Sequence, residues 1–369
     1  MREGVTRFLA SRPGIILVGA IIGLVATLLQ KLGNPPNMGV CVACFQRDIA
    51  GALGLHRADV VQYIRPEIIG FVLGSLVAAR AFHEFKARTG SAPVVRFFLG
   101  VFAMIGALTF LGCPWRALLR LAGGDWNAIV GLVGLGVGIS IGVWFLKQGY
   151  TLGRTHRAAT PVGWIIPLAF VGLLLMAVLT PSFIFASQKG PGSMHAALWV
   201  SLLAGLIVGA LAQRTRFCTM GSIRDVILAR DTHLISGVAA LVVVAFVMNL
   251  ILGQFKSGTQ MMPIAHSAHV WNFLGLVLAG LCFALAGGCP GRQLFLAGEG
   301  DGDAGVFVLG MITGAAFAHN FGLAAKPDAM IEGAFKVGGV GPNGQVAVIL
   351  GLVLCIILGF AMRERWKEA

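Results

Sequence analysis

Charge is scarce in this sequence: Asp, Glu, Lys and Arg make up 12% of its 369 residues, about half the share of an ordinary soluble protein. That scarcity argues against a soluble globular domain. The first apolar run, near 13–32, lacks a small-residue cleavage site, so it reads as a retained helix and not a signal peptide. Neither a Walker loop nor a dinucleotide fingerprint in a strand–helix setting occurs, which argues against ATP-driven transport by this chain alone. The seven cysteines form no disulfide framework, and no closed metal site or other cofactor is expected.

What the chain has is apolar length. It is 57% hydrophobic with a mean hydropathy of +0.85, and windows of at least ~18 nearly uncharged residues recur. These predict an all-α polytopic membrane protein, one membrane domain over 1–369. The net charge of +13 sits in short clusters between apolar runs, the pattern that orients membrane helices and not one that binds nucleic acid. Ten spans are predicted, at 14–32, 66–85, 93–112, 126–146, 161–182, 195–213, 233–252, 270–288, 303–323 and 345–362. Clusters such as Arg2, Arg7 and Arg12, then Lys86, Arg88 and Arg96, then Arg363, Arg365 and Lys367 place both termini in the cytoplasm.

Two motifs occur twice. Cys41-x5-Arg47-Asp48 returns 177 residues later as Cys218-x5-Arg224-Asp225, and Gly112-Cys113-Pro114-x-Arg116 returns after 176 as Gly288-Cys289-Pro290-x-Arg292. Gly124-Asp125, Gly134 and Gly138 keep that offset. The expected organisation is repeat 1 over 14–147, a linking helix at 161–182, repeat 2 over 195–323 and an extra C-terminal helix at 345–362. One linking span between the copies inverts the second relative to the first, as in many transporters. The motif segments are too short or too polar to span, so they read as re-entrant half-helices lining an enclosed cavity.

Proline suits the first position of a helix, which puts Cys113 and Cys289 at N-caps. Unpaired backbone N–H groups and the positive helix end there favour an anion. Arg116 and Arg292 add fixed charge. Thiols with N–H groups suit a soft sulfur or selenium anion; the plainer alternative is a small cysteine packed at a tight turn. Adjacent Arg and Asp do not face each other on a helix, so one of each pair is expected toward the path and the other toward a neighbouring helix. Arg47 and Arg224 are candidates for attracting substrate, and Asp48 and Asp225 for structural ion pairs. Cys41-x-x-Cys44 has redox-dithiol spacing without a thioredoxin-like context, which leaves Cys44 an accessory candidate. Cys282 and Cys355 read as core, as does His319 in span nine. The spacing of Gly131, Gly134, Gly138 and Gly142, and of Gly310 and Gly314, predicts close helix packing.

On these residues the chain resembles the YeeE/YedE family of sulphur-transport membrane proteins. The likeness rests on the duplicated cysteine motifs, on Arg216-Phe217-Cys218-Thr219 with Arg224-Asp225, and on Ala286-Gly287-Gly288-Cys289-Pro290-Gly291-Arg292. The stretch Asn34–Phe45 is more narrowly similar to the YedE branch described as candidate selenium transporters. The resemblance implies inward transport of thiosulfate or a related species across a prokaryotic inner membrane, not enzymatic turnover. It also implies re-entrant helices, pathway cysteines at Cys41, Cys113, Cys218 and Cys289, and a small cytoplasmic sulfur-carrier protein as partner. The competing expectation is a membrane thiol redox or sulfur-transfer protein using Cys41 and Cys44.

Overall fold

The computed structural model describes residues 2–364. A short helix α1 (Arg2–Leu9) precedes α2 (Arg12–Lys31), α3 (Val42–Ala52), α4 (Pro66–Ala81), α5 (Pro93–Phe110), α6 (Pro114–Ala122) and α7 (Asn127–Lys147). After α8 (Thr160–Leu179) the same sequence of long and short helices returns. It runs α9 (Leu198–Thr215), α10 (Thr219–Ala229), α11 (His233–Ile251), α12 (His269–Ala286), α13 (Pro290–Gly298) and α14 (Gly302–Asn320), and α15 (Pro342–Ala361) follows. Two small antiparallel ribbons, 88–89 with 156–157 and 329–331 with 334–336, lie in the connections.

The protein is an all-α polytopic membrane protein. Among the described residues nine helices are long and apolar enough to cross a bilayer, counting α5–α6, α9–α10 and α12–α13 each as one continuous stretch. The tenth predicted span, 66–85, corresponds to α4, which is shorter than expected. Its 16 residues reach only about 24 Å at 1.5 Å per residue. The chain leaves the helix at Phe82 and turns through a left-handed His83 (φ 58), which frees Glu84 to pair with Arg214. Helix α1 was not anticipated. Arg365 and Lys367, counted above among the cytoplasmic cations, lie outside the described residues.

Glycine decides which helices meet. A methyl on Gly19 of α2 would lie 1.9 Å from the Gly237 carbonyl oxygen of α11, and one on Gly74 of α4 would lie 2.2 Å from that of Leu206 on α9. Gly134 and Gly138 of α7 sit against the carbonyls of Phe273 and Val277 on α12, while Gly310 and Gly100 join α14 to α5. Such approach is the close packing that small residues allow between membrane helices. Contacts advance along both helices of each pair in the same direction: Gly134 with Phe273, then Gly138 with Val277. The four pairs α2·α11, α4·α9, α5·α14 and α7·α12 are therefore parallel, and each joins a helix before α8 to one after it. Helices α5 and α12 meet between these pairs at Gly106 and Gly275.

The short helices lie inside this frame. Every residue of α3 is buried, and at 11 and 9 residues α3 and α6 span only about 16 and 13 Å, too little to cross. Helix α8 packs at the periphery against α4, α13 and α14, and most of its surface faces outward.

Candidate functional site

The four duplicated cysteines are the N-caps of the four short helices: Cys41 of α3, Cys113 of α6, Cys218 of α10 and Cys289 of α13. Local chemistry sets this. A proline follows Cys113 and Cys289, fixing φ at a position whose N–H would be unpaired in any case. The sulfurs of Cys41, Cys218 and Cys289 accept the backbone N–H three residues on, at 3.4, 3.2 and 3.5 Å. Three of the four half-helices thus begin with a thiol lying over their first amides, and Cys113 of α6 makes no such contact.

These N-termini meet in pairs. The sulfurs of Cys41 and Cys113 are 3.8 Å apart, and the backbone N–H of Cys289 donates to the sulfur of Cys218 at 3.4 Å. All four are buried, Cys218 least so at 6% exposure. The structure therefore assembles two thiol pairs, each made from both motifs of one sequence copy. Cys44, one turn into α3, points its thiol at the Leu111 carbonyl at 3.8 Å. Cys41 faces Cys113, so the Cys-x-x-Cys spacing does not itself form the close pair. Cys282 and Cys355 lie elsewhere, buried between α12 and α15 with sulfurs 3.4 Å apart.

Between the pairs stands Trp115. It follows Pro114 on α6, is fully buried, and meets Phe217 edge-on at a ring separation of 5.5 Å. Phe71 and Phe295 pack around it at 5.7 and 6.2 Å. Its ring lies on Gly291, the residue after Pro290. Phe217 immediately precedes Cys218, so Trp115 touches neighbours of both cysteines of the second pair.

A cavity approaches each pair. One, of about 550 Å³, is lined by Arg47, Leu111, Met261, Met262, His319 and Lys326 among others. The other, of about 630 Å³, is lined by Arg214, Arg216, Cys218, Arg224, Asp225 and Arg292 among others. They lie at opposite ends of the fold, because α11 begins at the second and the 252–268 connection that follows it reaches the first. The second cavity holds four arginines, together with Glu84, Asp225 and Asp231. Arg214 pairs with Glu84 and Arg224 with Asp225, each at 2.8 Å, whereas Arg216 makes no ion pair among the described residues. Burial alone would push the Glu84 carboxyl up, but Arg214 and Gln213, which bond it, hold it below its ordinary value.

The predicted arginines divide. Arg116 is fully buried and donates to the carbonyls of Leu111, Pro263 and Ile264. It ties α6 to the 252–268 connection, and Gly112 leaves room for its stem to fold back. Its counterpart Arg292 lines the second cavity beside Glu299 at 3.3 Å. The expectation that adjacent Arg and Asp point apart is overturned in both copies. Arg47 donates to its neighbour Asp48 at 2.6 and 2.9 Å, and Arg224 to Asp225 at 2.8 Å. The arginine stem is long enough to curl around the helix to the adjacent carboxylate, and a buried guanidinium needs that partner. Asp48 also accepts from Arg65 at 2.8 Å, making a triad absent at Asp225, whose pair is partly exposed.

Several site residues were not singled out by sequence. Gln46, between Cys44 and Arg47, keeps both polar atoms of its amide buried and unpaired. His319, for which sequence favours a core reading over one at the path, borders the first cavity, its ring tilted by 33° against that of His56 at 4.5 Å; His56 is itself bonded to the Arg47 carbonyl. Trp115 had a visible signal: the two Cys-Pro-x-Arg copies differ at x, tryptophan in one and glycine in the other.

Comparison with known proteins bears out the resemblance drawn from the motifs. Residues 214–369 match the model of the family described as Sulphur transport. A thiosulfate transporter, TsuA, of Spirochaeta thermophila is 29% identical over 164 residues. That match covers 42% of this chain and 48% of the relative, so it spans about half the length of the protein it matches.

Proposed function

We propose, from the premise that residues 214–369 carry the sequence of a sulphur-transport family, that this protein is a transporter that moves a small sulfur- or selenium-containing anion inward. The path runs from the Arg47 and Met261 cavity through Cys41 and Cys113, then Cys218 and Cys289, to the arginine-rich cavity. The observation that carries this reading is the convergence of the four duplicated thiols, in two pairs, at the N-termini of buried half-helices.

Chemistry fits the cargo. A dehydrated anion needs donors, and each half-helix start supplies amide N–H groups at its positive end. Thiols add weak, polarizable S–H contacts, which hold a soft anion loosely enough for it to leave. No covalent step is needed, and turnover of the anion is not part of the reading. Arg216, Arg224 and Arg292 raise the local concentration of anions at the second cavity, while Arg116 acts by fixing α6 in place. Thiosulfate is the first cargo to test because a matched relative is named for it; a selenium species is the second.

The two copies are inverted repeats in this reading. Support comes from the four parallel pairings: α4 runs back across the frame from α2, yet α2 lies parallel to α11 and α4 parallel to α9. Corresponding helices α2 and α9 then point in opposite directions. The basic connections support a reading with the termini and the arginine-rich cavity in the cytoplasm of a prokaryotic cell and the protein in its inner membrane. A small sulfur-carrier protein there is the expected receiver.

Uptake of labelled thiosulfate and selenite by proteoliposomes tests the path. Cys41→Ala, Cys113→Ala, Cys218→Ala and Cys289→Ala should each lower uptake; full uptake by all four removes the thiol path. The redox alternative instead makes Cys44→Ala the damaging change and predicts a changed thiol count on oxidation.

A further inference from the structure

We infer that Trp115 is the seal between the two thiol pairs, and that its indole N–H is the donor that receives the anion as it crosses. This rests on the path proposed above, but its first test does not depend on the cargo.

Position comes first. Trp115 follows Cys113-Pro114, so the helix that carries one thiol of the first pair also carries the ring. That ring meets Phe217, which precedes Cys218, and lies on Gly291, two residues after Cys289. A straight passage from one pair to the other therefore meets the indole. Phe71 and Phe295 pack on its flanks, so its ring contacts are aromatic on three sides. A small anion cannot cross such an aromatic collar without losing its remaining hydration, so an immobile collar would stop transport.

The indole also carries an unspent group. Its Nε1 is buried and has no hydrogen-bond partner, although a buried indole N–H normally finds one. The nitrogen lies on the side of the α13 N-terminus, 3.3 Å from where a Cβ on Gly291 would stand. A donor beside the start of a helix joins the free amides of that helix in facing an anion. A buried donor without a protein partner is free to meet an anion that passes this level.

Gly291 makes the seat. A Cβ there would approach the ring to 3.1 Å, tight enough to push the indole by a few tenths of an ångström. Residues 115 and 291 correspond in the duplication, so the largest side chain on one half-helix rests on the absent side chain of the other.

The test reads access to Cys218, which borders the arginine-rich cavity. A charged, membrane-impermeant thiosulfonate is added to one side only of proteoliposomes in which orientation is fixed. Modification of Cys218 is then measured by mass spectrometry of its peptide in the full chain carrying Cys41→Ser, Cys44→Ser and Cys113→Ser, so that no thiol at the first pair intercepts the reagent. This chain with Trp115 retained is the wild type of the labelling comparison. From the Arg47 side the wild type should leave Cys218 unmodified, and Trp115→Ala should expose it at a rate raised at least about tenfold. Unchanged protection in folded Trp115→Ala overturns the seal even if all four cysteines prove essential for uptake. Exposure of Cys218 with no wild-type uptake of either labelled anion sinks the cargo and keeps the seal. Trp115→Phe preserves the ring without the N–H, so Cys218 should stay protected while uptake falls by about tenfold, the worth of one hydrogen bond to a charged group. Unchanged uptake in Trp115→Phe refutes the donor role. Should Trp115→Ala not fold, Trp115→Leu, which keeps an apolar side chain but removes the ring, answers the same question, and Cys218 protection equal to wild type in it then overturns the seal.

Discussion

Gly138→Ala and Gly136→Ala are the same substitution two residues apart on α7, and they should act in opposite directions. At Gly138 the new methyl would stand 2.1 Å from the Val277 carbonyl oxygen and 2.9 Å from the Leu281 nitrogen of α12. Real Cβ atoms do not approach closer than 3.0 Å, so the helices must part locally by about 0.9 Å. Backbone stands on both sides, and no rotamer change relieves it. Overpacking of this kind costs about 1–3 kcal/mol, against a gain of ~0.8–1 kcal/mol from replacing glycine inside a helix. At Gly136 nothing lies within 4 Å, and only the gain remains. The two variants should therefore differ by about 1–3 kcal/mol, with Gly138→Ala the weaker. Titration with SDS in mixed micelles, followed by circular dichroism, measures the difference as a shift in midpoint. Gly310→Ala, which would meet the Phe97 carbonyl at 2.2 Å, supplies the corresponding test on α14. Equal midpoints for the Gly136 and Gly138 variants would refute the claim that glycine contact sets the parallel pairs.

The duplicated aspartates should behave unequally. Asp48→Asn leaves Arg47 and Arg65 buried around a neutral amide and should cost about 3–5 kcal/mol, seen as loss of folded protein on size exclusion. Asp225→Asn, at a partly exposed pair, should leave folding close to wild type by the same measure. His266, in the connection before α12, is pushed down to about 4 by burial, against the opposing pull of the Thr109 carbonyl that it meets at 2.7 Å. The unfolded chain takes up this proton near pH 6.5 and the folded chain only near 4, so stability falls as pH drops through that window, by up to roughly 3 kcal/mol. His266→Gln should flatten the dependence of the melting temperature between pH 7 and 4.5. Oxidation with copper phenanthroline should join Cys41 to Cys113 in a variant whose Cys218, Cys282, Cys289 and Cys355 are all serine, consuming two thiols until a reductant is added. Unchanged thiol count would place those sulfurs farther apart than 3.8 Å.

Long apolar runs and repeated motifs made the helices and the four thiols legible in the sequence, since both are local or periodic signals. The pairing of Cys41 with Cys113 was not legible, because it depends on how two half-helices separated by two others converge. Arg116 shows the limit from the other side. Its repetition marked it as a functional cation, yet its guanidinium is used on the carbonyls of Leu111, Pro263 and Ile264, while its twin Arg292 lines a cavity. Sequence identity between copies does not carry identical surroundings. The short α4 and the curled Arg47–Asp48 contact were missed for a related reason: both answer to a partner on another element, Arg214 in one case and Arg65 in the other.

The seat of Trp115 on Gly291 has a consequence for descent. Two identical half-chains assembled as an antiparallel homodimer would carry the same residue at both positions. Two indoles would contend for one space, and two glycines would leave a hole at the middle of the barrier. Once the two copies are separate stretches of one chain, with α8 as the crossing between them, positions 115 and 291 can differ. The peripheral helix, which lines neither cavity, is in this sense what made an asymmetric centre attainable.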